Sequence, residues 1–73
     1  MVFLMEKRMK NKRTAIFIRG ARKQMRLTQQ QLADRVGARR YNIAKYETGS
    51  TAPPGGIILN IYRLLEDSLT TVA

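Results

Sequence analysis

The stretch that most constrains this chain is Leu27–Gly49, L-T-Q-Q-Q-L-A-D-R-V-G-A-R-R-Y-N-I-A-K-Y-E-T-G. Thr28 is a good N-cap, and Gln31 three residues later completes a capping box, each side chain satisfying a backbone N–H of the other residue. Leu27 and Leu32 stand at the N′ and N4 positions of a hydrophobic staple. Leu32, Ala33 and Val36 then form one apolar face, and Gly37 can take the left-handed conformation that ends a helix. A second helix is expected from about Arg39 to about Glu47, with Ile43 and Tyr46 facing inward and Ala38 joining them from the turn. Its outward face is Arg40, Tyr41, Ala44 and Lys45, at i, i+1, i+4 and i+5. Two short helices joined at a glycine, the second with a basic outer face, are the layout of a helix-turn-helix at about 28–47. Double-stranded DNA is therefore the leading candidate partner.

The outward residue types suit that partner. An arginine can bond two acceptors on a guanine edge, a tyrosine can offer its hydroxyl or pack on a thymine methyl, and Ala44 is small enough for close approach. Charge follows the same division. Residues 1–13 hold five Lys/Arg against one acid, residues 14–47 eight against two, and residues 48–73 one against two, within a net charge of +9. A basic N-terminal arm and reading unit beside a neutral-to-acidic C-terminal third suits a polyanion on one side and a protein on the other.

Composition narrows the chemistry. The 73 residues include no cysteine and no histidine. That leaves no disulfide framework, no Cys-based metal site and no imidazole base. With no clustered carboxylates and no phosphate-loop motif, the reading is a non-enzyme with no catalytic residues, no metal and no cofactor. The pair Gly55-Gly56 lacks the Lys-Ser/Thr that a nucleotide-binding loop requires. No run approaches ~18 apolar residues, so no transmembrane helix is expected. Met1–Met5 is too short for a secretory core and is followed by its basic residues, which makes a cytoplasmic protein the default.

The rest of the chain is organised around the central unit. Residues 1–13 form a basic arm whose Lys7, Arg8, Lys10, Lys12 and Arg13 either run along a DNA backbone or are simply solvated, the usual state of a terminal segment. Residues 14–25 are expected to be the first helix, with Thr14 as its cap. Phe17, Ile18, Ala21 and Met25 make its apolar stripe, with Gly20 permitting close helix approach. After Glu47, the run T-G-S-T-A-P-P-G-G breaks the helix. Ser50, Thr51 and the glycine N–H groups then lie at the start of a fourth helix, where anions are favoured, although an ordinary linker accounts for the run equally well. Residues 57–67 form that fourth helix. Ile57, Ile58, Ile61, Leu64 and Leu65, extended by Leu59 and Tyr62, make a face too wide for one small domain, which suggests a subunit interface. Residues 68–73 form a tail in which Leu69–Val72 is β-prone, and Val2–Met5 is a second short-strand candidate.

Several of these residues carry a resemblance. L-T-Q-x-x-L-A, then V-G, then I-x-x-Y-E-x-G resembles the phage repressor and Cro type of helix-turn-helix regulator, the lambda-repressor-like XRE family, over roughly Ile16 to Leu65. The resemblance implies a compact all-α domain of four helices at 14–67. It implies that Gln29 clamps a DNA phosphate, that Arg22 pairs with Glu47, that Arg40, Tyr41 and Lys45 read bases, and that the loop after Glu47 touches the DNA backbone. One departure stands out. The N-cap of the recognition helix is usually Ser or Thr in that family, and here it is Arg39, which either weakens the helix start by ~1 kcal/mol or shifts the cap elsewhere.

The function expected is a sequence-specific transcription regulator, a repressor or autoregulator, dimeric through the helix at 57–67 and bound to a near-palindromic operator. Gln29, Arg39, Asn42, Ser50 and Thr51 are its expected backbone contacts, and Arg40, Tyr41, Lys45 and Ala44 its base-reading set. The alternative is an antitoxin that binds DNA and also holds a toxin protein. Neither reading calls for a membrane.

Overall fold

A computed structural model describes residues 11–70 of the chain. Four helices follow one another: α1 (Lys12–Gln24), α2 (Gln29–Val36), α3 (Arg40–Thr48) and α4 (Gly55–Thr70). The described residues contain no strand, and the architecture is the all-α one that the periodicity predicts.

The start of α2 has the expected local geometry. Thr28 is extended, the Gln31 N–H donates to its Oγ1 at 3.0 Å, and its own N–H donates to Gln31 Oε1 at 2.8 Å. Gly37 closes α2 at φ +77° and Gly49 closes α3 at φ +79°, left-handed conformations that a Cβ would penalise. The end of α1 uses the same device without a glycine. Arg26 sits at φ +59°, with its N–H bonded to the Lys23 carbonyl (3.0 Å) and the Leu27 N–H to the Arg22 carbonyl (3.1 Å). These two bonds make a Schellman closure and accommodate the strained residue.

Three expected boundaries and one expected contact are corrected. α1 begins at Lys12 and not at Thr14, because Asn11 occupies the N-cap position. Asn11 does not cap with its side chain; its Nδ2 donates to the Gly49 carbonyl at 3.4 Å, so a contact with the far end of α3 marks the start of α1. α4 is longer at both ends than residues 57–67. The Pro54 carbonyl receives the N–H groups of Ile57 (3.0 Å) and Ile58 (3.2 Å) at one end. At the other end no Gly or Pro interrupts the run after Asp67, so Leu69 and Thr70 form the last helical turn in place of a strand. Val2–Met5 and residues 71–73 lie outside the described residues. Gly20 faces solvent, and a Cβ there would meet nothing within 4 Å, so it serves no close helix approach.

Each helix contributes one fully buried large side chain: Ile18, Leu32, Ile43 and Ile61. Each such burial contributes about 1.5–3 kcal/mol, and together they form the centre on which all four helices converge. Ala15, Ala21, Ala33, Val36 and Tyr46 are buried as well. α1 and α2 both pack on α3, which leaves α3 held from two sides. α4 lies across α2 and α1, and the Asn60 Nδ2 donates to the carbonyl of Val36 at 3.3 Å, which covers the end of α2. Ile57, Ile58, Leu64 and Leu65 reach the core as partly buried contacts. The apolar excess of α4 is Leu59, Tyr62 and Leu69, which remain about half exposed.

Candidate nucleic-acid interface

With Ile43 and Tyr46 committed to the core, 3.6 residues per turn require that Arg40, Tyr41, Ala44 and Lys45 face away from it. Arg40 and Tyr41 are exposed, while Ala44 and Lys45 are partly covered by their neighbours. The four form one face with no acid among them. α3 is a nine-residue helix, and an α-helix with its side chains is about 10–12 Å across, which the ~12 Å width of a DNA major groove admits.

Arg39 opens the helix in an extended conformation and remains the N-cap residue. The cap has thus not moved to another residue, and since the Arg39 side chain makes no capping bond, α3 starts without a side-chain cap. The cap carbonyl accepts from the N–H groups of Asn42 and Ile43, both at 3.0 Å. The positive end of the helix dipole therefore coincides with two exposed arginines, Arg39 and Arg40, an arrangement that favours anions.

The opposite end of α3 is tied to the start of α2 through one carboxylate. Glu47 Oε2 accepts from Arg22 Nε at 2.6 Å, and Glu47 Oε1 accepts from Arg22 Nη2 at 2.9 Å and from Gln29 Nε2 at 3.2 Å. Arg22 Nη1 also donates to the Leu27 carbonyl at 3.0 Å. The pair is largely covered, with side-chain exposures of 15% and 5%. The hydrogen bond to Glu47 holds the Arg22 guanidinium above its ordinary pKa, helped by the charge of that carboxylate and opposed by burial. The raised pKa means that the folded state favours the charged guanidinium, so with Glu47 ionised this contribution is present below the arginine range and is lost as pH rises through it.

The network places Gln29 beside the C-terminal end of α3. Ser50 and Thr51 follow that end directly and are exposed. Ser50 Oγ donates to the Lys45 carbonyl at 3.2 Å and lies 3.0 Å from Thr48 Oγ1, which itself donates to that carbonyl at 2.9 Å. The structure thus sorts the sequence-derived set into three zones. Arg39 and Asn42 stand at the start of α3, Arg40, Tyr41, Ala44 and Lys45 on its outer face, and Gln29, Ser50 and Thr51 around its far end.

Sequence reasoning treated Tyr41 and Lys45 as independent groups, whereas Lys45 Nζ lies 5.2 Å from the centroid of the Tyr41 ring. Their i,i+4 spacing was the available signal. It also missed Asn11 and Asn60, whose partners are distant in sequence and leave no local signature. Among the described residues no group of three or more His, Cys, Asp or Glu side chains is placed to hold a metal ion. No helix among them is long and apolar enough to cross a membrane.

Comparison with known proteins adds two findings. A family profile described as a helix-turn-helix domain matches residues 15–72. In Bacillus subtilis (strain 168), the protein described as "Uncharacterized HTH-type transcriptional regulator YqaE" is 40% identical over 52 residues, covering 71% of this chain and 45% of that protein. The chain thus spans less than half the length of that relative. No solved structure matches the chain.

Proposed function

The chain belongs to the helix-turn-helix domain family, and from that premise we propose that it is a DNA-binding transcriptional regulator of the phage repressor and Cro type. It acts as a dimer on a near-palindromic operator, as a repressor or autoregulator. The observation that carries this reading is the three-zone arrangement of α3. A short exposed helix, of a diameter that a major groove admits, presents Arg40, Tyr41, Ala44 and Lys45 between two sets of polar residues. Arg40, Tyr41 and Lys45 discriminate bases, Ala44 permits close approach, and Gln29, Arg39, Asn42, Ser50 and Thr51 set the register on the phosphates. Arg22 and Glu47 are structural; they fix the angle between α1 and the reading helix. A regulator of this kind acts in the cytoplasm.

Dimerisation is supported by the exposed Leu59, Tyr62 and Leu69 on α4. A two-fold through that surface would set two copies of α3 in successive major grooves, ~34 Å apart. The same surface is where a toxin partner would sit if the chain were an antitoxin.

Selection of bound duplexes from a random pool at moderate salt tests the reading. The expected result is a two-fold symmetric motif with half-sites one turn apart. Binding without any motif, fading as salt rises, would reduce the basic face to a general polyanion surface.

A further inference from the structure

We propose that Tyr41 is a positioning residue for Lys45, and that the stacked pair reads a single guanine as one unit. This rests on the DNA-reading function above and adds which residue controls specificity and for which base.

The argument begins with helix geometry. Side chains on a helix lean towards its N-terminus, so a lysine at i+4 is directed over the residue at i. In α3 that brings the Lys45 ammonium 5.2 Å from the Tyr41 ring centroid, inside the ~6 Å range of attraction between a cation and an aromatic face. Tyr41 is 68% exposed and has no place in the core, which Ile43 and Tyr46 fill from the other side of the helix. Its ring is therefore available as a platform.

An unsupported lysine is a mobile point charge on a four-carbon stem, well suited to any nearby phosphate. Held over the ring, its charge stays at one place on the middle of the outer face. The N–H groups turned away from the ring remain free to donate. In the major groove a guanine presents two adjacent acceptors, O6 and N7, and no other base offers that pair. Ala44 lies beside the stack on the same face and leaves room for the base edge to approach. A central, held ammonium is thus matched to guanine, whereas phosphates are met at the two ends of α3.

Two measurements decide it. In the free protein, proton NMR should show the Lys45 ε-methylene protons shifted upfield by the ring current; the shift should persist in Tyr41→Phe and vanish in Tyr41→Leu. Duplex selection should then be run with the wild type, Tyr41→Phe, Tyr41→Leu and Lys45→Met, with circular dichroism showing all four folded. The wild-type motif should contain a guanine that Lys45→Met and Tyr41→Leu both lose and Tyr41→Phe keeps. Tyr41→Leu should weaken binding to the selected site by roughly two- to five-fold more than it weakens binding to random duplex. Adding it to Lys45→Met should cost little more.

A guanine that persists in Tyr41→Leu overturns the proposal, as does its loss in Tyr41→Phe, which would make the hydroxyl the reader. A Lys45→Met protein with an intact motif and only a shallower salt dependence overturns it too, and makes Lys45 a phosphate contact. If the wild type selects no motif, the DNA-reading function falls and the proposal with it. A clear wild-type motif without the coupling removes the proposal alone.

Discussion

Glu47 accepts three hydrogen bonds, two from Arg22 and one from Gln29, and so joins α1, α2 and α3 through one side chain. Removing it leaves a guanidinium that is only 15% exposed without its anion. For a fully buried pair that loss costs about 3–5 kcal/mol; residual water access and the Leu27 carbonyl reduce it here to about 2–3 kcal/mol. Glu47→Ala should therefore lower Tm by roughly 10–20 °C in a calorimetric scan. Gly20 presents the opposite case. It stands in the interior of α1, exposed, with open space where a Cβ would go. Gly20→Ala should raise stability by about 0.5–1 kcal/mol in urea titration, chiefly by restricting the unfolded chain. A neutral or negative result would contradict the open space around Gly20. Arg40 belongs at this scale too: Arg40→Ala should cost roughly 1–3 kcal/mol on the operator and relax one base position. Equal losses on operator and random DNA would make it a backbone contact only.

At the scale of elements, α2 is the helix most completely specified by its own residues. Cap, box, staple and closing glycine all lie within Leu27–Gly37. α3 is different, because its first turn lacks a side-chain cap and it is held instead by α1 and α2. That separates two effects in one substitution. Arg39→Ser supplies the missing cap and removes one positive charge. It should stabilise the fold by about 1 kcal/mol while lowering the salt dependence of duplex binding by about one phosphate contact. Greater stability with an unchanged salt slope would remove Arg39 from the backbone contacts. α4 shows how far a local rule carries. β-propensity at Leu69–Thr70 yields to the continuing helix, since it is a weak preference and nothing in the run stops helical hydrogen bonding.

For the whole molecule, four large side chains, one from each helix, form the centre of a small core, and chains of this size are marginal on their own. The half-exposed Leu59, Tyr62 and Leu69 give such a domain a way to bury more apolar surface by pairing. Tyr62→Glu should leave the fold intact, since Tyr62 is outside the core, yet yield a monomer in sedimentation. It should also abolish the preference for two-fold sites over single half-sites. A dimer that persists would move the interface away from α4.

What the residues determine by themselves is everything whose cause lies within a turn or two of helix. This covers the start of α2, the glycine closures at Gly37 and Gly49, the inward Ile43 and Tyr46, and hence the outward set on α3. Capping and periodicity act over three or four residues, so they are legible without the fold. Tertiary structure decides what depends on partners far along the chain. Asn11 meets the carbonyl of Gly49, Asn60 meets that of Val36, and Glu47 brings Arg22 and Gln29 to one point. These hydrogen bonds join residues 18 to 38 positions apart. No local pattern encodes them, because each exists only once packing has brought its two ends together.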